Sequence, residues 1–126
     1  MEIKLKEIIN DEFSIALMKL ADVPLPATAS WELSKTIDLI GEEQKRYDKI
    51  RIKTLKKFCK LDDSGEIEMD KDSKAKFTAG KKDEFTIEIE KLQAQQVTVP
   101  TISLASFGQA LIEPKIFVIL KKIITE

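Results

Sequence analysis

The sequence contains no histidine and only one cysteine, Cys59, among its 126 residues. Without histidine, the chain can build neither a Ser-His-Asp nor a Cys-His catalytic arrangement, and it can form no histidine-ligated zinc or iron site. With a single thiol, it can form neither an internal disulfide nor a thiolate metal cluster. The commonest catalytic and metal-binding arrangements are therefore excluded, and we predict a protein that is not an enzyme and needs no cofactor.

Long apolar segments are also missing. The longest apolar run near the C-terminus, residues 116–120, is ended by Lys121 and Lys122, whereas a membrane-spanning helix needs roughly 20 apolar residues. The first residues alternate charged and apolar side chains and do not resemble a signal peptide. The lack of disulfides suits a reducing compartment. Together these features predict a cytoplasmic protein with no membrane partner.

Glycine and proline are scarce, with four of each. Because sandwiches and barrels need many turns, this composition argues against an all-β fold. The length fits a single domain over residues 1–126, and the hydrophobic periodicity predicts an α+β, mostly helical fold. It would contain one long central helix, two or three further helices and a small two-stranded β element. No internal repeat is visible in the sequence.

Two strands are predicted near the ends of the chain. Residues 2–9 alternate apolar and charged side chains, and residues 97–104 form the clearest strand pattern, in which Pro100 requires an edge or a bulge. We expect these two segments to pair, and we expect Pro114 to open a short apolar helix. The C-terminal strand and helix together occupy residues 97–125.

Turn signals separate the predicted helices. Asn10 is the predicted start of a first helix, which ends near Asp22 because prolines follow it. The long helix covers about residues 27–60, and an acidic turn follows over residues 61–72. Residues 70–95 fit both a helical face and a strand-like alternation, and we favour a helix with a break in its middle.

The long helix carries an apolar heptad pattern on one face. At 1.5 Å per residue, about 34 residues would extend roughly 50 Å, which exceeds the roughly 28–35 Å width expected for a globule of this chain length. The helix must therefore protrude, bend near Gly41 or pack against another copy. We predict self-association through this heptad seam, which consists of Leu33, Ile37, Ile40, Tyr47 and Phe58.

The second half of the same helix carries a dense group of cations. Residues 45–60 contain eight basic side chains and one acid, a net charge of +7, while residues 1–44 and 61–126 are net acidic. At about 100° per residue, seven of the eight fall within roughly a third of the helix circumference, nearly opposite the heptad seam. We name this face the basic ridge; it consists of Lys45, Arg46, Lys49, Lys53, Lys56, Lys57 and Lys60.

The basic ridge has two interpretations. It could bind an anionic partner, such as an acidic protein, a phosphorylated small molecule or a nucleic acid. Alternatively, it is a solvated helix face that the acidic segment 62–72 folds back to neutralise. The predominance of lysine and the lack of aromatic residues for base stacking favour the second interpretation.

Two single residues also leave alternatives open. Cys59 lies among Lys56, Lys57 and Lys60, which would lower its pKa if it were exposed, but a lone cysteine at a helix end is more often a packing residue. Trp31 lies off the heptad seam and belongs either to the core or to a contact patch.

The order of these features resembles that of small uncharacterised proteins of tailed bacteriophages and prophages. The elements that carry the resemblance are, in order, Leu17 and Leu20 on a short helix, Leu25-Pro26-Ala27, the charged stretch from Tyr47 to Lys57, the turn Asp62-Asp63-Ser64-Gly65, and Glu113-Pro114. The resemblance implies a phage accessory, assembly or host-interacting protein in the bacterial host cytoplasm. It assigns no functional residues.

We therefore predict a non-enzymatic protein–protein interaction or assembly protein that forms a homo-oligomer through the heptad seam. The alternative is a protein that binds nucleic acid or another anion through the basic ridge, with nucleic acid the less favoured partner. No catalytic residue and no metal ligand is assigned.

Overall fold

Five helices and four short strands follow one another along the chain. The structure, a computed structural model, describes every residue from Met1 to Glu126. The elements are, in order, β1 (Glu2–Lys4), α1 (Leu5–Ile8), α2 (Asp11–Ala21), α3 (Ala27–Phe58), α4 (Lys82–Gln93), β2 (Gln96–Thr98), β3 (Ile102–Ser103), a 3-10 turn (Leu104–Phe107), α5 (Pro114–Leu120) and β4 (Ile124–Thr125). The predicted α+β, mostly helical fold is confirmed, with α3 as its long helix. None of the helices has both the length and the apolar character that crossing a membrane requires.

The chain divides into two compact units. Unit 1 consists of Met1–Gln44 and Gln95–Glu126, and unit 2 consists of Lys45–Ala94. Helix α3 contributes its first part to unit 1 and its second part to unit 2. The single domain over residues 1–126 stays a prediction. Each unit contains a different stretch of α3.

In unit 1, β1 and β2 form an antiparallel pair, as the sequence predicts for the two ends of the chain. Ile3 lies opposite Val97, and the Leu5 amide extends the pairing by donating to the Gln95 carbonyl at 2.8 Å. The second strand ends at Thr98 and does not continue to residue 104, and beyond it the Val99 amide donates to the Met1 carbonyl at 2.9 Å. The chain resumes as β3, which pairs in parallel with β4, a pairing that the sequence did not predict.

Helix α2 begins where the sequence predicts. The Asn10 side-chain oxygen accepts a hydrogen bond from the Glu12 amide at 2.8 Å and so caps the helix, which ends at Ala21. The short helix α1 was not predicted. Gln44, on α3, donates from Nε2 to the carbonyl of Ile8 at the end of α1, at 3.0 Å, and thereby satisfies a group that the helix leaves unpaired.

The core of unit 1 is continuous and apolar. Each fully buried aliphatic or aromatic side chain contributes roughly 1.5–3 kcal/mol to stability, so this cluster holds the unit together. One fully buried polar side chain, Thr36, donates its hydroxyl to the Pro100 carbonyl at 3.1 Å. The core residues are Ile3, Ile8, Phe13, Ala16, Leu17, Leu20, Ala29, Leu33, Ile40, Val99, Ile102, Phe107, Ile116, Leu120 and Ile123.

In unit 2, the predicted helix over residues 70–95 is correct only for its second half. Helix α4 begins at Lys82, and the chain before it forms turns. Asp62 and Asp70 each accept hydrogen bonds on a side-chain oxygen from the backbone amides two and four residues ahead, at 2.8–3.0 Å. An aspartate that bonds its own backbone in this way stabilises a turn at the expense of a helix.

The two aspartate turns repeat one another at an offset of eight residues. In each, the aspartate amide donates to the carbonyl four residues ahead. The residue before that carbonyl has a positive φ, 84° at Gly65 and 61° at Ser73.

A ring of backbone hydrogen bonds joins three residues that have the same spacing of eight, namely Lys60, Glu68 and Lys76. The Glu68 amide donates to Lys60, the Lys76 amide to Glu68, and the Lys60 amide to Lys76, at 2.8–2.9 Å. Unit 2 therefore contains an internal repeat, which the sequence conceals because little besides the turn residues recurs.

This ring also sets the end of the long helix. Helix α3 ends at Phe58 and not at the predicted residue 60, because Cys59 forms a β-bridge with Phe77 and Lys60 takes part in the backbone ring. The last predicted residues of the helix are therefore extended.

We expect Ser73→Gly to stabilise unit 2. A left-handed backbone conformation costs an L-residue roughly 1–2 kcal/mol, and glycine avoids this cost. Glycine also loses more conformational freedom on folding, roughly 0.5–1 kcal/mol, which leaves a net gain of about 0.5 kcal/mol in the free energy of unfolding. Urea denaturation measures the change. Ser64→Gly is the control, because φ at Ser64 is not positive and the same exchange there should destabilise; a Ser73→Gly protein less stable than the parent contradicts the assignment.

Candidate interaction surfaces

The first three residues of the heptad seam lie in the core of unit 1. Leu33 and Ile40 are each 3% exposed and belong to the core cluster, and Ile37 packs against that cluster. The apolar pattern that predicts association between copies therefore packs within one chain.

The remaining two seam residues are covered within unit 2. Tyr47 is buried, and its hydroxyl accepts a hydrogen bond from Gln93 Nε2 at 3.0 Å, while Phe58 is half-buried. The expectation of self-association through the heptad seam is corrected by this burial. A second copy cannot reach Leu33, Ile40 or Tyr47 in this conformation, because the chain's own side chains already cover them.

The basic ridge faces solvent along its whole length. All seven of its side chains are exposed. From Lys45 to Lys57 the ridge follows helix α3 for roughly 18 Å, and Lys60 lies just beyond the helix end. Because the heptad seam packs inward, helical geometry directs the opposite face outward.

Two ridge lysines form ion pairs with carboxylates of unit 2. Lys56 Nζ lies 4.0 Å from Glu66 Oε2, and Lys57 Nζ lies 3.9 Å from Glu88 Oε2. Glu66 is the one residue of the acidic segment 62–72 that pairs with the ridge, so neutralisation by that segment is slight. Exposed pairs at this distance contribute at most about 1 kcal/mol each.

Four ridge lysines form no intramolecular ion pair, namely Lys45, Lys49, Lys53 and Lys60. Two isoleucines flank them on the same helix. At about 100° per residue, Ile52 falls beside Lys45 and Lys56, and Ile50 falls beside Lys57. Ile50 is 38% exposed and Ile52 is 42% exposed, so the surface combines free cations with apolar edges.

The acidic segment and Cys59 have structural roles. The Ser64 hydroxyl donates to Asp62 at 2.6 Å and, with the Glu66 amide, lowers the pKa of that carboxyl. No group of three or more carboxylates or thiols is arranged to hold a metal ion. Burial raises the pKa of the Cys59 thiol, which opposes the effect expected from its lysine neighbours and fits a packing residue.

A second surface lies in unit 1, where α5 packs on α2. Two depressions of about 180 and 350 Å³ flank this contact and share Glu12 and Ile119 in their walls. Ile15 lines the smaller and is 54% exposed, and Val118 lines the larger and is 68% exposed. We name the smaller depression, with its rim, the α2–α5 groove.

Sequence reasoning did not find this surface. The apolar periodicity of α2 does not show that Ile15 is one of its exposed residues. The sequence left open whether Trp31 belongs to the core or to a contact patch. Its side chain is 62% exposed, and Lys35 Nζ lies 3.8 Å from its ring centroid.

Comparisons of the chain with protein-family models, with curated proteins and with solved structures find no match. The two surfaces are therefore characterised by their own geometry and charge.

Ile40→Ala tests whether the heptad seam packs within the chain. Truncation of a buried isoleucine removes buried area and leaves a cavity, so we expect the free energy of unfolding to fall by about 2–5 kcal/mol. The loss should be the same at low and high protein concentration, because no second copy contacts Ile40. Ile52→Ala is the control and should change stability by less than about 0.5 kcal/mol. A loss that grows with protein concentration would instead place Ile40 between copies.

Proposed function

We propose that this chain is a non-enzymatic protein–protein interaction protein that binds an acidic partner through the basic ridge. The observation that carries the proposal is the set of four exposed ridge lysines, Lys45, Lys49, Lys53 and Lys60, that have no intramolecular ion pair. Clustered like charges repel one another, and an opposite charge on a partner removes that cost. A helix face of this kind also accelerates encounter with an acidic surface.

The apolar edges of the ridge favour a protein partner. Ile50 and Ile52 supply contact area that an acidic protein surface can cover, whereas a phosphate backbone offers little apolar surface in return. No aromatic side chain lies on the ridge to stack on an unpaired base.

Nucleic acid is the second candidate partner, and one observation favours it. Lys45, Lys49, Lys53 and Lys57 recur every four residues, so their charges form a row along about 18 Å of helix. Such a row can follow a phosphate backbone without reading bases.

The resemblance to bacteriophage proteins supplies a setting for the proposal. An accessory or assembly protein in the cytoplasm of an infected bacterium would work through contacts of this kind, with no chemistry of its own. The phage origin, the cytoplasmic location and the lack of enzymatic activity are parts of the proposal.

Charge reversal on the ridge tests the proposal. We expect wild-type protein to bind fluorescent poly-L-glutamate at about 50 mM salt, and the Lys49→Glu/Lys53→Glu double variant to bind at least about tenfold more weakly, since each exposed charge contact is worth about 0.2–1 kcal/mol and reversal adds repulsion. Fluorescence anisotropy measures both affinities.

Lys71→Glu/Lys74→Glu is the matched control. It makes the same change in charge within unit 2, at exposed lysines outside the ridge that form no ion pair. We expect this control to retain most of the affinity. Equal losses in the two variants, or no binding by the wild type, would contradict the proposal. Stronger binding to duplex DNA, with an affinity that falls steeply as salt rises, would favour the second candidate.

A further inference from the structure

An unusually exposed leucine lies beside the α2–α5 groove. Leu111 is 93% exposed, on the loop between the 3-10 turn and α5. The loop is anchored on both sides of it: the Ala110 amide donates to the Phe107 carbonyl at 3.1 Å, and Ile112 packs against the core of unit 1. Ile112 therefore faces the core of unit 1, while the side chain of Leu111 lies in water. A large apolar side chain held this far into water on an anchored loop is suited to insertion into a partner.

The α2–α5 groove has the size and lining to receive such a side chain. Ile15, Ala16, Ile116 and Ile119 form its apolar surface. Its volume of about 180 Å³ compares with the roughly 150 Å³ of an apolar cavity that holds a benzene-sized group. A leucine side chain is no larger than that group.

The positions of Leu111 and the groove favour a two-fold arrangement. Glu113, two residues beyond Leu111, forms part of the groove wall, so the backbone of Leu111 lies within about 7 Å of a groove residue. Leu111 does not occupy the groove of its own chain, since it is 93% exposed. In a two-fold pair, each copy presents the same surface, and both leucines and both grooves are used at once.

The charges around the groove match a copy of themselves. Glu12 and Glu113 supply two acids, and Lys19 and Lys115 supply two bases. A partner of one charge sign would match half of them and repel the other half, whereas a second copy offers both signs. We infer that unit 1 is a self-association surface, on which Leu111 of each copy inserts into the α2–α5 groove of the other.

This inference does not depend on the proposed function, because it concerns unit 1 and the ridge lies in unit 2. A standard interface covers about 800 Å² per partner, about a tenth of this chain's surface of 8590 Å². The groove and loop are smaller than that, so we expect a weak dimer with a dissociation constant in the micromolar range.

Analytical ultracentrifugation tests the inference. As the concentration rises from about 1 to 500 μM, we expect the mass of the wild type to approach twice that of the monomer. Leu111→Asp and Ile15→Asp should each weaken dimerisation at least about tenfold, because each would bury a carboxylate. Met69→Asp, at a methionine of unit 2 that is 53% exposed against 54% for Ile15, should leave it unchanged.

A charge exchange separates a specific two-fold contact from general hydrophobic association. Lys19→Glu/Lys115→Glu gives an all-acidic groove, and Glu12→Lys/Glu113→Lys gives an all-basic one. We expect each variant alone to be monomeric at concentrations where the wild type dimerises, and we expect an equal mixture of the two variants to form heterodimers.

Three outcomes overturn the inference. The wild type stays monomeric throughout, Leu111→Asp leaves the dimer intact, or the two charge variants fail to associate when mixed. Lys49→Glu/Lys53→Glu should dimerise like the wild type, so failure of the ridge proposal can be told apart from failure of this inference.

Discussion

One apolar stripe along helix α3 is buried by the chain's own side chains in both units. Leu33, Ile40 and Tyr47 are covered by the chain's own side chains, the first two in unit 1 and the third in unit 2. Once this stripe packs inward, helical periodicity places residues on the opposite face in water. The exposure of the basic ridge is therefore a consequence of core packing, and the charge density of the ridge is available to a partner.

The two units are stabilised in different ways. Unit 1 has a continuous core in which fifteen apolar side chains are buried. Unit 2 has fewer buried side chains, among them Tyr47, Thr54 and Cys59, and its helix α4 has none. Its turns are connected by the backbone hydrogen bonds of the ring and of the two aspartate turns.

The sequence predicted features that arise from local patterns. The cap at Asn10, the start of α3 and the pairing of the chain ends follow from side-chain types and periodicity, and the structure confirms them. Features that depend on tertiary context were missed. A heptad seam has the same sequence pattern whether it packs on its own chain or on another chain. The ring at Lys60 is formed by backbone groups, which carry no sequence signal. The α2–α5 groove was missed because periodicity does not reveal which apolar residues stay exposed.

Thiol labelling along α3 is the most direct test of this account. Two variants are made in a Cys59→Ser background, Leu33→Cys and Lys49→Cys. Each is treated with a thiol reagent at nanomolar protein concentration, where weak oligomers dissociate. We expect Lys49→Cys to be labelled as fast as an unfolded peptide. Leu33→Cys should be labelled at least about a hundredfold more slowly, since its thiol is reached only through unfolding. Equal, rapid labelling of both positions would contradict the account, because it would mean that the stripe is uncovered in the single chain.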